Sequence, residues 1–286
     1  MRVSNNWQDY ECLATGNGYK LERWKDIILS RPDPQIIWPK SDNKIWQTWD
    51  GYYKRSNTGG GEWSFKKKLP EYWTIGYRNL TFRVSPTGFK HTGIFPEQAT
   101  NWDYIIEKIQ ASKRDDFRVL NLFAYTGGAT MAASSAGAKE VVHVDSSKGM
   151  IEWAKQNMHL SHLENNTIRF IQEDVIKFLD REIRRGRTYH AIIMDPPSYG
   201  RGPNNEVWRL EDNIKELLEK SKALLDPDYS FLLINSYTTG LSPTSLKNIL
   251  SLIFDNSNIE TDEIGLPVTE NNLILPCGIY GRVSKD

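Results

Sequence analysis

Cysteine is scarce in this chain: Cys12 and Cys277 are the only two among 286 residues. A disulfide framework or a cysteine zinc site needs more thiols at closer spacing, so neither is implied. The five histidines (His91, His143, His159, His162 and His190) form no ligand motif, and no metal is expected. No apolar run approaches the roughly 20 residues of a membrane span. The start, Met1-Arg-Val-Ser-Asn-Asn-Trp7, lacks the apolar core of a signal peptide. Internal repeats and low-complexity stretches are also missing. These absences point to a cytoplasmic globular protein with no membrane partner.

Net charge is absent as well, with 36 Lys and Arg against 36 Asp and Glu. The balance hides an asymmetry. Residues 1–90 hold 15 Lys and Arg, 9 Asp and Glu, and seven of the ten tryptophans. Basic side chains neutralise phosphates and aromatic faces stack on bases, so this part reads as an RNA- or substrate-binding domain. A small β domain also needs tryptophans for its core, and that reading accounts for most of the rings. The run Lys66-Lys67-Lys68 is either a solvated edge or a phosphate contact.

What is present divides into two parts, 1–92 and 93–286. The first is strand and turn in character. Tyr19 to Ser30 clusters apolar residues between charges, Thr58-Gly-Gly-Gly61 reads as a loop, and Trp73 to Val84 as a hairpin turning near Arg78-Asn79. From Ala99 the pattern becomes helical, with Trp102, Ile105, Ile106 and Ile109 on one face. Strands expected at 118–123, 140–144, 167–172, 190–194 and 230–235 then alternate with helices at 127–136, 147–159, 175–185, 206–225 and 243–254. Two further strands, at 259–266 and 273–283, follow in succession. Such alternation predicts an α/β fold with a doubly wound, mostly parallel seven-stranded sheet, one strand antiparallel near the end.

Four strand ends carry glycine or carboxylate signals, and open α/β sheets bind ligands at such ends. Val119-Leu-Asn-Leu-Phe-Ala-Tyr-Thr-Gly127-Gly128 ends the first strand. Its glycines let backbone approach a ligand at a helix N-terminus. Asp145, ending the second, is placed to accept from ribose hydroxyls. Asp174, ending the third, can accept from an adenine amine. Asp195 ends the fourth, in His190-Ala-Ile-Ile-Met-Asp-Pro-Pro-Ser-Tyr199. Its two prolines stiffen the backbone and leave carbonyls without competing N–H groups. Each aspartate alone also reads as a helix cap or turn starter; the four signals in order read as one ligand site.

The order resembles class I S-adenosylmethionine-dependent methyltransferases. More narrowly, Asn121-Leu-Phe-Ala-Tyr-Thr-Gly-Gly, Val144-Asp-Ser-Ser, Ala154-Lys-Gln-Asn157, Met194-Asp-Pro-Pro-Ser and Thr92-Gly-Ile-Phe-Pro-Glu-Gln98 are similar to bacterial large-subunit (23S) ribosomal RNA methyltransferases that carry a small β-rich domain ahead of the catalytic one. The resemblance implies S-adenosyl-L-methionine as cofactor and RNA as partner. It implies a cofactor site drawn from Asn121, Phe123, Ala124, Tyr125, Thr126, Gly127, Asp145, Ser146, Asp174, Val175 and Asp195, with Phe95 and Gln98 closing the pocket.

Two chemistries compete for the methyl. For an amine acceptor, Asp195 and the Pro196 carbonyl accept its N–H bonds while Tyr199 stacks on the base; here Ser198 separates that ring from the prolines. Cytosine carbon methylation needs a cysteine thiolate to attack the ring first. Some relatives carry that thiol after the fifth strand, where this chain reads Asn235-Ser-Tyr237-Thr. Cys277 reads as a structural thiol, so a nitrogen acceptor is favoured. The loop from Arg201 to Arg209 is expected to hold a phosphate between its two arginines, with Trp208 either stacking on a base or packing at the next helix. A methyltransferase of a non-RNA substrate, a nicotinamide-dependent oxidoreductase and a non-catalytic RNA-binding relative remain the further alternatives.

Overall fold

The computed structural model describes residues 1–56, 60–88, 90–201, 207–255 and 257–285, with the backbone alone at 201. The chain forms two compact units. One comprises Met1–Thr100 together with Ile264–Cys277; the other comprises Asn101–Glu263 with Gly278–Asp286.

The first unit is built from strands β1 (Arg2–Val3), β2 (Tyr10–Gly16), β3 (Tyr19–Trp24), β4 (Ile27–Pro32), β5 (Gly51–Arg55), β6 (Gly61–Phe65), β7 (Trp73–Tyr77) and β8 (Leu80–Val84). Strands β2 to β6 form one sheet in chain order, antiparallel except where β4 meets β5. The expected hairpin is β7–β8, turning through Arg78 at a φ of 52°. The expected loop at 58–61 lies partly outside the described residues, and Gly61 opens β6. Trp24 and Trp46 are buried, while Trp7, Trp38, Trp49, Trp63 and Trp73 are half-buried.

Charge is buried here too. Glu22, fully buried, accepts from Arg31 Nε at 2.6 Å and Nη2 at 2.8 Å and from the Tyr10 hydroxyl at 2.7 Å. Burial alone would raise its pKa. The charges of Arg31 and Lys20 outweigh that and hold the carboxyl down at about 2. Arg31 also donates to the Lys90 carbonyl at 2.9 Å.

The second unit follows the alternation of the sequence. Helix α1 (Ala99–Ser112) leads into β9 (Arg118–Leu122), α2 (Gly128–Ser135), β10 (Glu140–Asp145), α3 (Lys148–Leu160), β11 (Ile168–Gln172), α4 (Val175–Arg184) and β12 (Ala191–Met194). Two short strands come next, β13 (Tyr199–Arg201) and β14 (Val207–Arg209). Then follow α5 (Leu210–Leu224), β15 (Phe231–Ser236), α6 (Pro243–Ile253), β16 (Asn258–Pro267) and β17 (Ile274–Ser284). The sheet order is β16-β17-β15-β12-β9-β10-β11, with β17 antiparallel to β15. The ends of β16 and β17 nearest their connection belong to the first unit, where β1 pairs in parallel with Ile264 and Gly265.

Local chemistry explains the helices. Asp174 caps α4 by accepting from the Lys177 N–H at 3.0 Å. Val175, Phe178, Leu179 and Glu182 then share its buried face. Ser147 caps α3, and Ile151 and Ala154 are buried one turn apart. Each such Leu, Ile or Phe contributes about 1.5–3 kcal/mol by leaving water. No helix among the described residues is long and apolar enough to cross a membrane.

His143 on β10 is fully buried, and burial drives its pKa down to about 3. In the unfolded chain it titrates near 6.5. Protonation below that value therefore favours the unfolded state. Stability is expected to decline by roughly 1.4 kcal/mol per pH unit from about 6.5 towards 3. Thermal melts across that range check this: His143→Gln should flatten the slope, and an unchanged slope would refute the assignment.

Candidate active site

Four connections leave the carboxyl ends of β9, β10, β11 and β12, which lie side by side in one parallel sheet. The first turns sharply. Phe123, Tyr125 and Gly127 all take positive φ, at 53°, 52° and 86°. Two of these are bulky L-residues, for which such φ values are strained and persist only when the surroundings impose them. Those surroundings are visible. The Ala124 N–H donates to the Val144 carbonyl at 3.0 Å, and the Tyr125 N–H to Asp145 Oδ2 at 2.9 Å. Buried Asn157 donates to the Thr126 carbonyl at 2.8 Å.

The glycines serve packing as well as approach. A Cβ on Gly127 would lie 3.2 Å from the Ala154 methyl, and one on Gly128 would lie 2.6 Å from the Trp102 ring. Asn121 is buried and donates to Thr130 Oγ1 at 2.9 Å, so its amide ties β9 to α2 from beneath the turn.

Asp145 joins two connections. Its other oxygen accepts from the Ser147 N–H at 2.8 Å. An ionised carboxylate offers about four lone-pair sites, so two remain for further donors. Burial raises the Asp145 pKa above 3.8, against the opposing pull of the Ser147 and Tyr125 N–H groups. Ser146 is exposed beside it, and Ser147 is the helix cap. Asp174 is exposed and spends one oxygen on its cap, while Val175 is buried.

Asp195 follows β12, half-buried, with Pro196 buried and Pro197 exposed. Asn235, at the end of the neighbouring β15, donates to Asp195 Oδ1 at 3.4 Å. The connection beyond is held from several sides. Trp208 Nε1 donates to the Pro197 carbonyl at 2.6 Å, with its ring 5.3 Å from Phe123. Thr238 donates to Ser198 at 2.8 Å, and the Leu210 N–H to the Ser198 carbonyl at 3.1 Å.

Two expectations change here. Residues 207–209, expected to be helical, pair as β14 with β13, Tyr199 opposite Arg209, and α5 starts at Leu210; residue 206 lies outside the described residues. Trp208 therefore packs on this connection rather than at the start of a helix. The loop thought to present Arg201 and Arg209 is a hairpin whose tip, 202–206, lies outside the described residues, as does the Arg201 side chain. Tyr199 is half-exposed on its first strand.

Phe95 and Gln98 lie in the first unit. Phe95 precedes a one-turn helix (Pro96–Gln98), and its ring is 5.5 Å from His91. Tyr237 packs its ring over Gly278, where a Cβ would approach to 3.0 Å. Cys277 donates to the Leu275 carbonyl at 3.4 Å, and burial pushes its thiol well up. Asn235 carries no signal as a motif. Its mark is a polar residue closing the buried run Phe231-Leu-Leu-Ile234.

Residues 42–245 match the family model for S-adenosylmethionine-dependent methyltransferases. The chain belongs to that family. It is 31% identical over 224 residues to ribosomal RNA large subunit methyltransferase K/L of Shewanella sp. (strain MR-4), covering 75% of this chain and 29% of that protein. It is 40% identical over 132 residues to ribosomal RNA large subunit methyltransferase I of Cronobacter sakazakii, covering 46% of this chain and 32% of that one. The chain thus spans about a third or less of these curated relatives. A solved S-adenosylmethionine-dependent methyltransferase from Agrobacterium tumefaciens superposes with a TM-score of 0.94 at 33% identity, over 100% of this chain and 93% of that one. The α/β sheet with a small β-rich unit is the fold of this methyltransferase.

Proposed function

We propose that the protein is a cytoplasmic S-adenosylmethionine-dependent methyltransferase acting on a base nitrogen of large-subunit ribosomal RNA. The observation that carries the reading is Asp195, an acceptor-only group at the end of β12, fixed by Asn235 and the rigid Pro196-Pro197 backbone.

When bound, the cofactor supplies an electrophilic methyl on a sulfonium, so the protein's work is alignment and exclusion of water. The strained 123–127 turn would offer backbone to the methionine and ribose, Asp145 would accept from the ribose hydroxyls, and Ser146 would stand beside it on the ribose side. Asp174 and the Val175 N–H would hold the adenine. The acceptor's amine donates its N–H bonds to Asp195 and the Pro196 carbonyl, because the Pro197 carbonyl already accepts from Trp208. Those bonds localise the nitrogen lone pair for attack, and Tyr199 stacks on the base. Neither thiol favours carbon chemistry: burial raises both Cys12 and Cys277 far above the neutral range. Tyr237 stands where some members of the family would carry the nucleophilic cysteine.

The first unit supplies RNA contacts. Lys66 lies 4.2 Å over the Trp49 ring and Lys40 4.2 Å over Trp46. Tyr19 and Tyr52 stack at 5.2 Å, and Trp63 and Phe65 at 5.8 Å. Lys66 and Lys68 are exposed. The double change Lys66→Glu and Lys68→Glu is expected to weaken RNA binding about tenfold and to reduce the salt slope by roughly two, with cofactor affinity unchanged. Filter binding across a salt series checks this; an unaltered slope would remove these lysines from the interface.

The overall reading is tested with labelled cofactor and ribosomal RNA from a strain lacking the protein, followed by mass spectrometry of the nucleosides. An N-methylated base is expected. 5-Methylcytidine would overturn the acceptor, and label confined to protein or small molecules would overturn the substrate.

A further inference from the structure

Behind Asp195 lies a line of buried polar side chains, all within the second unit. Asn235 Nδ2 donates to Asp195 Oδ1 at 3.4 Å. Asn101 Nδ2, from α1, donates to Asn235 Oδ1 at 3.5 Å. Arg282 Nη2, from β17, donates to Asn101 Oδ1 at 3.2 Å. All three are nearly inaccessible, Asn101 at 1%, Asn235 at 2% and Arg282 at 5% exposure. The Arg282 guanidinium is held in turn between the Tyr104 ring at 4.0 Å and the Tyr280 ring at 4.5 Å, with Glu260 at 3.9 Å.

The two ends of this line are chemically one-sided. A guanidinium only donates, and an ionised carboxylate only accepts. An asparagine amide does both and can flip, so its orientation is set by its neighbours. Arg282 forces the Asn101 oxygen towards itself. That leaves the Asn101 NH2 to face Asn235, whose oxygen must accept and whose NH2 must point at Asp195. This set of orientations satisfies all three bonds. Burying two amides and a guanidinium is costly unless they are paired, and apolar residues would fill the same space without that cost. The two inner links are long, as hydrogen bonds around catalytic groups often are before substrate binds, so they contribute direction more than strength.

We propose that Asn235, Asn101 and Arg282 are positioning residues that fix the Asp195 carboxylate by a polarised amide relay. The relay rests on the reading of Asp195 as the group that receives the acceptor's N–H bonds. It holds one carboxylate oxygen through Asn235 and so sets the rotation of the other about the side-chain axis. Arg282 acts without touching substrate.

The test separates direction from mere packing. Asn101→Asp keeps the shape and improves the pairing with Arg282, but it removes the donor to Asn235. A structural role predicts wild-type turnover or better. The relay predicts an unchanged or raised thermal midpoint, cofactor affinity within about twofold, and methyl transfer to ribosomal RNA slowed about tenfold. Arg282→Met should slow transfer similarly, and Arg282→Lys, which keeps a donor-only cation, should recover part of that loss. Asn235→Asp, which sets carboxylate against carboxylate, should cost about a hundredfold. A readout independent of RNA is the Asn235 side-chain amide resonance in asparagine-labelled protein, which should move in Asn101→Asp and Arg282→Met alike. If that resonance stays in place, or Asn101→Asp turns over normally while Asp195→Ala is inactive, the relay is wrong and the role of Asp195 stands. If Asp195→Ala is itself active, the underlying reading has failed instead.

Discussion

Replacing Asp195 by Ala is expected to slow methyl transfer about a thousandfold while leaving cofactor affinity nearly unchanged. The size follows from what the carboxylate does. An exocyclic amine is a poor nucleophile because its lone pair is shared with the ring, and acceptors placed on its N–H bonds return that pair to nitrogen. Positioned groups of this kind contribute about 10²–10⁴ in rate. The more telling variant is Asp195→Asn. It preserves volume and the contact with β15, yet presents an NH2 where the proposed amine acceptor would also present one. It should be nearly as slow as the alanine variant, since a misplaced donor repels as well as failing to attract. Single-turnover transfer of label to RNA, paired with calorimetric titration of the cofactor, separates the two quantities. A variant that binds cofactor normally and transfers at the wild-type rate would remove Asp195 from the chemistry.

The second large effect is expected at Asp145. Asp145→Ala should weaken cofactor binding by at least about a hundredfold. The residue has two jobs, and one substitution ends both. It accepts the backbone N–H groups of Tyr125 and Ser147, which hold the strained turn. On the proposed reading its remaining lone pairs would meet the ribose diol, and hydrogen bonds to a charged group contribute about 1.5–3 kcal/mol each. The same residue gives a pH signature. Burial holds its pKa above 3.8 in the free protein, whereas hydroxyl donors favour the charged form. Cofactor binding therefore releases a proton, and affinity is lost as pH falls through the raised pKa. The folding contribution runs the other way. A carboxyl with a raised pKa stabilises the fold as it gains its proton, so the cofactor-free protein gains from Asp145 over the range in which it loses from His143. Calorimetry at several acidic pH values, with Asp145→Asn as control, checks the sign. Affinity constant with pH in the wild type would refute it.

The features legible in the sequence are those set by local chemistry. Buried parallel strands are continuous apolar runs, so Ala191–Met194 and Phe231–Ser236 announce themselves, and caps such as Asp174 mark where helices begin. The strand-end aspartates were readable for the same reason. Features that depend on tertiary partners were not. Lys20, Glu22 and Arg31 look like surface charges, because nothing in their spacing shows that they pair with one another inside the first unit. Val207–Arg209 continue a helical pattern and form a strand only because Tyr199–Arg201 lies opposite. Asn121 sits in a motif for ligand contact, yet its amide is taken by Thr130. Asn101 lies on a helix otherwise read for its apolar face, and only the fold brings it to Asn235.

The return of the chain at 264–277 has a consequence for how the protein is made. Arg2 and Val3 pair with Ile264 and Gly265, and Cys12 bridges to Val268. The first unit therefore lacks the partners of β1 and of Cys12 until residues 264–268 have left the ribosome. The second unit waits as well, because β17 is the strand that joins β15 to β16. A chain stalled or clipped shortly before residue 264 would carry two open sheet edges at once, and open edges recruit other chains. Folding here cannot proceed one unit at a time from the N-terminus. Both units close only once residues 264–284 have been made, which makes β16 and β17 a shared step in the folding of both.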